Sequence, residues 1–290
     1  MNIIKAQIIK AVGGDFTVKV DTQVLVLKGR KKLKGDKLFV GDFVEIDEKQ
    51  GVIESLIERQ NFLVRPPLAN VEQAIMVVAP IPKPDYFLID KLLVKFFSLN
   101  IKPVIVMNKI DICASGLINE LVEQYGKVCE IYMISALDYQ TTATTLNPVL
   151  TGKFSILTGQ SAVGKSSILN CLLPDVTLET GGLSRIGRGR NTTRHSEIFM
   201  LENGALIADT PGFNAFELDE FSPEDIIDNY PEFKQFSNKC KFNNCNHIKE
   251  KTDSCAVKRA VESGEMNKLR YERYVKLYEI ASEKEKKQYG

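Results

Sequence analysis

The chain has 290 residues, 44% of them hydrophobic and 26% charged, with a formal net charge of +1, which describes a soluble globular protein of two or three ordinary domains and excludes one small core. With charge so nearly balanced, attraction to nucleic acid has to come from uneven placement and not from the total. Its longest apolar run, around AIMVVAPI, is too short to span a bilayer, and the opening MNIIKAQIIK sets lysines around a very short apolar run that is no secretory segment, so a cytoplasmic protein without a membrane partner is expected.

In chain order, residues 1 to about 58 carry the alternating runs AQIIKAV, FTVKV, QVLVLKG, FVGDFVEI and GVIESLI, separated by the turns GGD, DTQ and KGDK. This pattern predicts a small all-β barrel or sandwich, and five strands of that length fit an OB-like barrel. The loop GRKKLKGDK sets Arg30, Lys31, Lys32, Lys34 and Lys37 against Asp36. Two readings stand: a patch that grips nucleic-acid phosphates, or a solvated hairpin that protects a sheet edge. In the following RQNFLVRPPLAN, Pro66 and Pro67 predict a linker without regular structure.

From Val71 the rhythm changes. EQAIMVVAP, IKPVIVMN, VCEIYMIS and FSILTG read as strands, and DYFLIDKLLVKFFSLN, GLINELVEQYG and KSSILNCLL as helices. Such alternation predicts an α/β domain with a parallel sheet covered on both faces. HSEIFMLE and ALIAD, joined by an Asn-Gly turn, read as an antiparallel hairpin at the sheet edge, and from Phe221 onward the pattern is helical.

Between the strand FSILTG and the helix KSSILNCLL lies a full P-loop, GQSAVGKSS: Gly159, Gln160, Ser161, Ala162, Val163, Gly164, Lys165, Ser166 and Ser167. Its backbone N–H groups and helix N-terminus face phosphates, Lys165 reaches the β- and γ-phosphates, and Ser166 ligates magnesium. Further on, ADTPGF places Asp209 at the end of an apolar strand, where it can hold a magnesium-bound water, and the Gly212 N–H can meet the γ-phosphate. VIVMNKID puts Asn108, Lys109 and Asp111 at the C-terminal end of a strand, the edge at which such sheets bind ligands. Guanine presents two adjacent donors to a carboxylate and adenine does not, so Asp111 selects GTP or GDP. In ISAL, Ser135 and Ala136 end the next strand, from which the Ala136 N–H can reach the guanine oxygen. The base reader precedes the P-loop, a circular permutation of the usual GTPase order that surface termini accommodate.

The C-terminal part contains CKFNNCNHIKEKTDSC, in which Cys240, Cys245, His247 and Cys255 supply three thiolates and an imidazole. These fill the tetrahedral shell of one structural zinc and leave no open position. Cys113, Cys129 and Cys171 stand in apolar helices or strands and read as core. Beyond them Tyr271, Tyr274, Val275, Tyr278 and Ala281 form a helical stripe among Lys268, Arg270, Arg273 and Lys276. The helix either faces RNA or packs its aromatic side back on the domain.

NKID, SAL, GQSAVGKSS, GRGRNTTRH, DTPGF and the CKFNNCNH…C segment in this order resemble the ribosome small-subunit-dependent GTPase A family of circularly permuted bacterial GTPases. The resemblance spans essentially the whole chain. It implies an OB-like barrel that binds nucleic acid (1–68), a circularly permuted P-loop GTPase domain (69–219) and a helical zinc-binding domain (220–290). It further implies a monomeric GTP hydrolase acting late in maturation of the small ribosomal subunit, in contact with its rRNA and stimulated by it. Lys165, Thr193, Asp209 and Gly212 are the catalytic set it implies, and Ser166, Thr193 and Asp209 the magnesium ligands; between Thr192 and Thr193 the second is favoured.

Two departures stand out. Asn191 replaces the histidine usual before the paired threonines, and Phe213 follows DTPG where many GTPases carry a water-positioning glutamine. Hydrolysis therefore has to borrow a group from His195 or from the partner, with slow intrinsic turnover. The glycine-rich segment GGLSRIGRGRNTTR, with Arg185, Arg188, Arg190 and Arg194, reads either as a switch that orders around the γ-phosphate and meets rRNA or as a solvated loop. A small-molecule P-loop kinase or ATPase, opposed by NKID, and an RNA-binding module with a structural nucleotide are the competing functions.

Overall fold

The computed structural model describes residues 3–21, 23–30, 37–173, 197–209 and 221–289. Its first five strands, β1 (Ile3–Val12), β2 (Asp15–Val20), β3 (Gln23–Gly29), β4 (Phe43–Asp47) and β5 (Val52–Leu56), close into a barrel in the order β1-β2-β3-β5-β4. The period of two sends Ala6, Ile8, Val18, Leu27, Val44, Ile46 and Ile53 into the barrel core, while Val24 and Val26 stay exposed on β3. Of the basic loop, Lys31, Lys32, Lys34 and Asp36 lie outside the described residues; Arg30 at its start donates to Gln50 Oε1 at 2.6 Å.

The expected linker is ordered. β6 (Phe62–Val64) pairs antiparallel with β7 (Pro67–Ala69), Val64 opposite Pro67. Pro67 opens its strand, where a missing N–H removes little from the ladder, and side chains anchor the segment. Asn61 exchanges two bonds with the Val71 backbone, at 2.9 and 2.8 Å, and Arg59 grips the fully buried Asp42 through Nε at 2.6 Å and a terminal nitrogen at 2.9 Å.

The alternating region follows as β8 (Gln73–Val78), α1 (Tyr86–Ser98), β9 (Lys102–Met107), α2 (Ser115–Tyr125), β10 (Glu130–Met133), α3 (Tyr139–Leu150), β11 (Phe154–Thr158), α4 (Lys165–Leu172), β12 (Glu197–Met200) and β13 (Leu206–Asp209). The six strands run in the order β10-β9-β8-β11-β13-β12. β9 with β10 and β11 with β13 pair parallel, and β12 turns antiparallel against β13 at the edge, as expected. Every residue of β8 and β11 is buried, which explains why they read as continuous apolar runs. A helix that periodicity does not announce is α3, whose threonines are poor helix formers; it buries Thr142, Leu146, Val149 and Leu150.

α5 (Pro223–Asp228), α6 (Lys234–Ser237), α7 (Ala256–Glu262) and α8 (Lys268–Tyr289) complete the chain. α5 opens on a capping box, in which Asp225 N–H donates to Ser222 Oγ and Ser222 N–H to Asp225 Oδ2. Among the described residues no helix is long and apolar enough to cross a membrane.

Two compact units divide the chain: Met1–Ile75 with Tyr139–Thr158 and Ser166–Phe213, and Met76–Asp138 with Gly159–Lys165 and Asn214–Gly290. In the first, the barrel has its own core, and Lys19 Nζ donates to Gly204 O at 2.7 Å in the β12–β13 turn. In the second, Val94 of α1 shares a core with Ile226, Tyr230, Phe233, Cys245, Cys255, Tyr274 and Leu277.

Candidate nucleotide site and metal centre

P-loop residues Gly159–Lys165 and the base reader lie together in the second unit, while Ser166 and Ser167 fall in the first. β9 ends at Met107, and the next residue, Asn108, is 1% exposed. Its amide works in two directions: Nδ2 donates to Val163 O of the P-loop at 2.9 Å, and Oδ1 accepts the Ala136 N–H at 3.0 Å. Lys109, in the left-handed region at φ 59°, sends Nζ to Ala162 O and Ile81 O, both at 2.8 Å. Side chains of the NKID segment thus hold both the P-loop and the Ser135–Ala136 turn. The Ala136 N–H, expected at the guanine oxygen, is engaged by Asn108.

Asp111 is exposed, and one of its oxygens accepts the Ser135 hydroxyl at 2.5 Å. That bond orients the carboxylate and leaves it further acceptor capacity for two adjacent donors. Lys165, at the start of α4, donates to Gly159 O and Gln160 O, each at 2.8 Å, which folds the ammonium back over its own loop. Gln160 Oε1 accepts the Asp85 N–H at 3.1 Å, and Asp85 caps α1 by accepting from Leu88 N at 3.0 Å. Both loop glycines are required by space. Gly159 has φ 135° and Gly164 φ 98°, and a Cβ would meet Val77 O at 2.2 Å in the first and Asn108 Nδ2 at 2.2 Å in the second.

Of the remaining expected residues, Ser161 is exposed, Val163 is fully buried, and Ser166 and Ser167 continue α4 half-buried. Asp209 ends β13, 3% exposed, in the first unit. Thr193 and Gly212 lie outside the described residues, as do Asn191, Thr192, His195, Phe213 and the arginines at 185, 188, 190 and 194.

Cys240, Cys245, His247 and Cys255 converge, with ligand atoms all within 4.8 Å of one another. His247 Nδ1 stands 3.7 Å from Cys240 Sγ, 3.3 Å from Cys245 Sγ and 3.4 Å from Cys255 Sγ. Zinc–ligand bonds of about 2.0–2.3 Å arranged tetrahedrally have edges in this range, so the donor set fits one zinc ion. Burial pushes the Cys245 and Cys255 thiols up and holds the His247 imidazole below its ordinary value. A cation here would displace thiol protons and meet an already neutral imidazole. Backbone N–H groups of Ala256 and Lys258, at the start of α7, point at Cys240 Sγ (3.3 Å) and Cys255 Sγ (3.5 Å).

The tyrosine stripe of α8 packs inward. Tyr271 donates its hydroxyl to His247 O at 2.6 Å, Tyr274 to Asn246 O at 2.5 Å, and Tyr278 OH accepts from Asn246 Nδ2 at 3.2 Å. Three hydroxyls on one helix face therefore clasp the loop that carries the ligands. Cys171 is buried as expected, but Cys113 and Cys129 are only half-buried and stand outside the helices and strands. Cys113 follows a 3-10 turn and Cys129 the turn before β10, so apolar neighbours in sequence did not place them inside.

A buried ionic cluster was not anticipated. Asp90 of α1, fully buried, pairs with Arg270 and Arg273 of α8. Arg270 also bonds Glu232 Oε1, at 2.8 Å through Nε and 2.5 Å through a terminal nitrogen, and lies over the rings of Tyr125 and Tyr230. Arg273 reaches Gln124 Oε1 at 2.6 Å. The signal available was the phase of Asp90, four residues from both Tyr86 and Val94 on a helix face that is otherwise apolar.

Against known proteins, the model of the RsgA GTPase family matches residues 56–219. The small ribosomal subunit biogenesis GTPase RsgA of Geobacillus sp. (strain WCH70) is 40% identical over 97% of this chain and 98% of its own length. A protein of the same name from Geobacillus kaustophilus is 41% identical over 98% of both chains. The crystal structure of YjeQ from Thermotoga maritima matches with a TM-score of 0.83 at 32% identity, covering 97% of this chain and 99% of that one. YloQ, described as a circularly permuted GTPase, matches with a TM-score of 0.81 at 30% identity over 97% and 96%.

Proposed function

The chain belongs to the RsgA GTPase family, and on that premise we propose that it hydrolyses GTP to GDP and phosphate in the maturation of the small ribosomal subunit, with the subunit stimulating the reaction. The observation that supports this most directly is the Asn108 amide, which joins the base reader, the Ser135–Ala136 turn and the P-loop in one hydrogen-bonded unit. A base reader so coupled to a phosphate cradle suits a guanine nucleotide lying across both.

In this reading Asp111 accepts the two donors of the guanine edge, with Ser135 fixing its rotamer, and the Ala136 N–H is shared with the guanine oxygen. Gly159 to Ser167 surround the phosphates, and Lys165 exchanges its two loop carbonyls for β- and γ-phosphate oxygens. Ser166, Thr193 and Asp209 would hold magnesium, which when bound offsets the charge of the β- and γ-phosphates. Gly212 would offer its N–H to the γ-phosphate. With Phe213 in the position of a glutamine, the attacking water is oriented by His195 or by a group of the subunit, so turnover is slow in the free protein. One zinc would hold the Cys240, Cys245, His247 and Cys255 loop as a structural ion.

We further assign nucleic-acid binding to the barrel of residues 1–68, nucleotide binding to 69–219 and the zinc site to 220–290, in a cytoplasmic monomer that meets rRNA. The test is GTP hydrolysis by the full chain with and without purified small subunits, together with co-sedimentation in a non-hydrolysable GTP analogue and in GDP. Stimulated turnover and nucleotide-dependent binding are expected. Equal rates with and without subunits would overturn the reading.

A further inference from the structure

Among the aromatic side chains of the C-terminal helical region, Tyr230, Phe233 and Tyr274 are buried, whereas Phe242 is 47% exposed. Its backbone is fixed. Cys240 and Cys245 of the metal centre flank it, the Lys241 N–H donates to Ser254 O at 2.9 Å, and the Phe242 carbonyl accepts the Cys245 N–H at 3.3 Å. The ring is thus held toward water by a pinned turn. Lys241 Nζ stands 5.7 Å from the ring centroid, and Asn243 and Asn244 are exposed beside it. Between residues 239 and 251 the chain carries Lys239, Lys241, Lys249 and Lys251, all exposed, against the single acid Glu250.

We propose that the turn from Lys241 to Asn244 is a docking point for unpaired RNA, with one base stacking on Phe242 and the surrounding lysines neutralising the adjacent phosphates. The inference rests on the ribosomal reading above and adds a contact to it. An exposed aromatic face with one ammonium group beside it, in a lysine-rich segment, matches a single strand, whose bases expose their π-faces between regularly spaced negative charges. Duplex RNA offers no such face, because its bases are stacked and paired. A protein partner would favour an apolar surround, since the cores of protein interfaces are depleted in lysine.

The experiment uses the full zinc-loaded chain and a short fluorescein-labelled single-stranded RNA of mixed sequence, with a duplex of the same length as control. Phe242→Ala is expected to weaken single-strand binding about tenfold, and Phe242→Leu, which keeps the apolar volume but not the ring, to weaken it similarly. Phe242→Tyr should retain affinity, and Lys241→Gln should flatten the dependence on salt. Duplex binding, zinc content and GTP affinity should be unchanged in all four. Single-strand binding as tight in Phe242→Leu as in the unaltered chain would overturn the proposal, and so would equal losses on single strand and duplex. Failure of small subunits to stimulate hydrolysis by the unaltered chain would instead count against the ribosomal reading, which keeps the two outcomes separable.

Discussion

The side-chain amide of Asn108 fills the space beside Gly164, where an added Cβ would lie 2.2 Å from Nδ2. Two segments more than fifty residues apart in the chain are therefore fitted to each other atom by atom. Gly164→Ala meets both this clash and a φ of 98° that costs a side chain on the order of 1–3 kcal/mol. Guanine nucleotide affinity should fall at least tenfold while the barrel stays folded, as titration with a fluorescent GDP analogue would show; unaltered affinity would contradict the fit.

Asp111→Asn replaces one of two acceptors with a donor. GTP affinity should drop by about a hundredfold or more, because a guanine N–H then faces an N–H. Xanthosine triphosphate, with a carbonyl in place of the exocyclic amine, should bind the variant better than GTP does. Competition binding with the two nucleotides decides the matter, and an unchanged preference for GTP would remove Asp111 from the base site.

Breaking the α1–α8 cluster should be expensive. Arg270→Met leaves the buried Asp90 carboxylate with Arg273 and the Tyr125 hydroxyl and should cost about 3 kcal/mol in urea unfolding. Adding Asp90→Asn should recover part of the loss, so the double variant is more stable than the two single changes would sum to. Strict additivity would show that the two side chains are not coupled.

Alkaline pH should weaken the same region. Burial first, and the Asp90 carboxylate next, push the Tyr125 and Tyr230 hydroxyls well above their ordinary value. A phenol whose pKa is raised by folding favours the protonated native state, so its stabilisation is complete below about pH 10 and is lost as pH rises above that. Tyrosinate absorbance should show these two groups ionising only as the chain unfolds; their titration in the native protein near the ordinary value would refute the assignment.

Metal analysis should find one zinc per chain, and Cys245→Ser or a strong chelator should remove it. Since the tyrosine hydroxyls of α8 clasp the ligand loop at His247 O and Asn246 O, removal should alter the near-ultraviolet tyrosine signal and lower the unfolding temperature. A metal-free chain with the same signal and stability would mean that the thiols hold no structural ion.

What the sequence makes legible is chemistry confined to short segments. The P-loop glycines and NKID each occupy a few consecutive residues and the four metal ligands lie on one short segment from Cys240 to Cys255, so their geometry is mostly local, and the structure brings the first two together and gathers the third. Barrel strands are readable because alternation follows from the pleat itself. Other features escape for physical reasons. Pro66 and Pro67 argue against regular structure, yet a three-residue strand tolerates a proline at its first position. Threonine-rich α3 is held by burial against propensity. Arg270 and Arg273 look like surface cations until a carboxylate from 180 and 183 positions away is found beneath them.

That last separation bears on the order in which the molecule can be made. A chain emerging from its own ribosome releases Asp90 180 residues before Arg270. Until α8 clears the exit tunnel, the carboxylate on α1 has neither guanidinium to receive it, and enclosing it would strand a charge in an apolar interior. The packing of α1 must therefore wait for α8, so that a product terminated between Cys255 and Lys268 carries all four metal ligands yet leaves Asp90 without either cation.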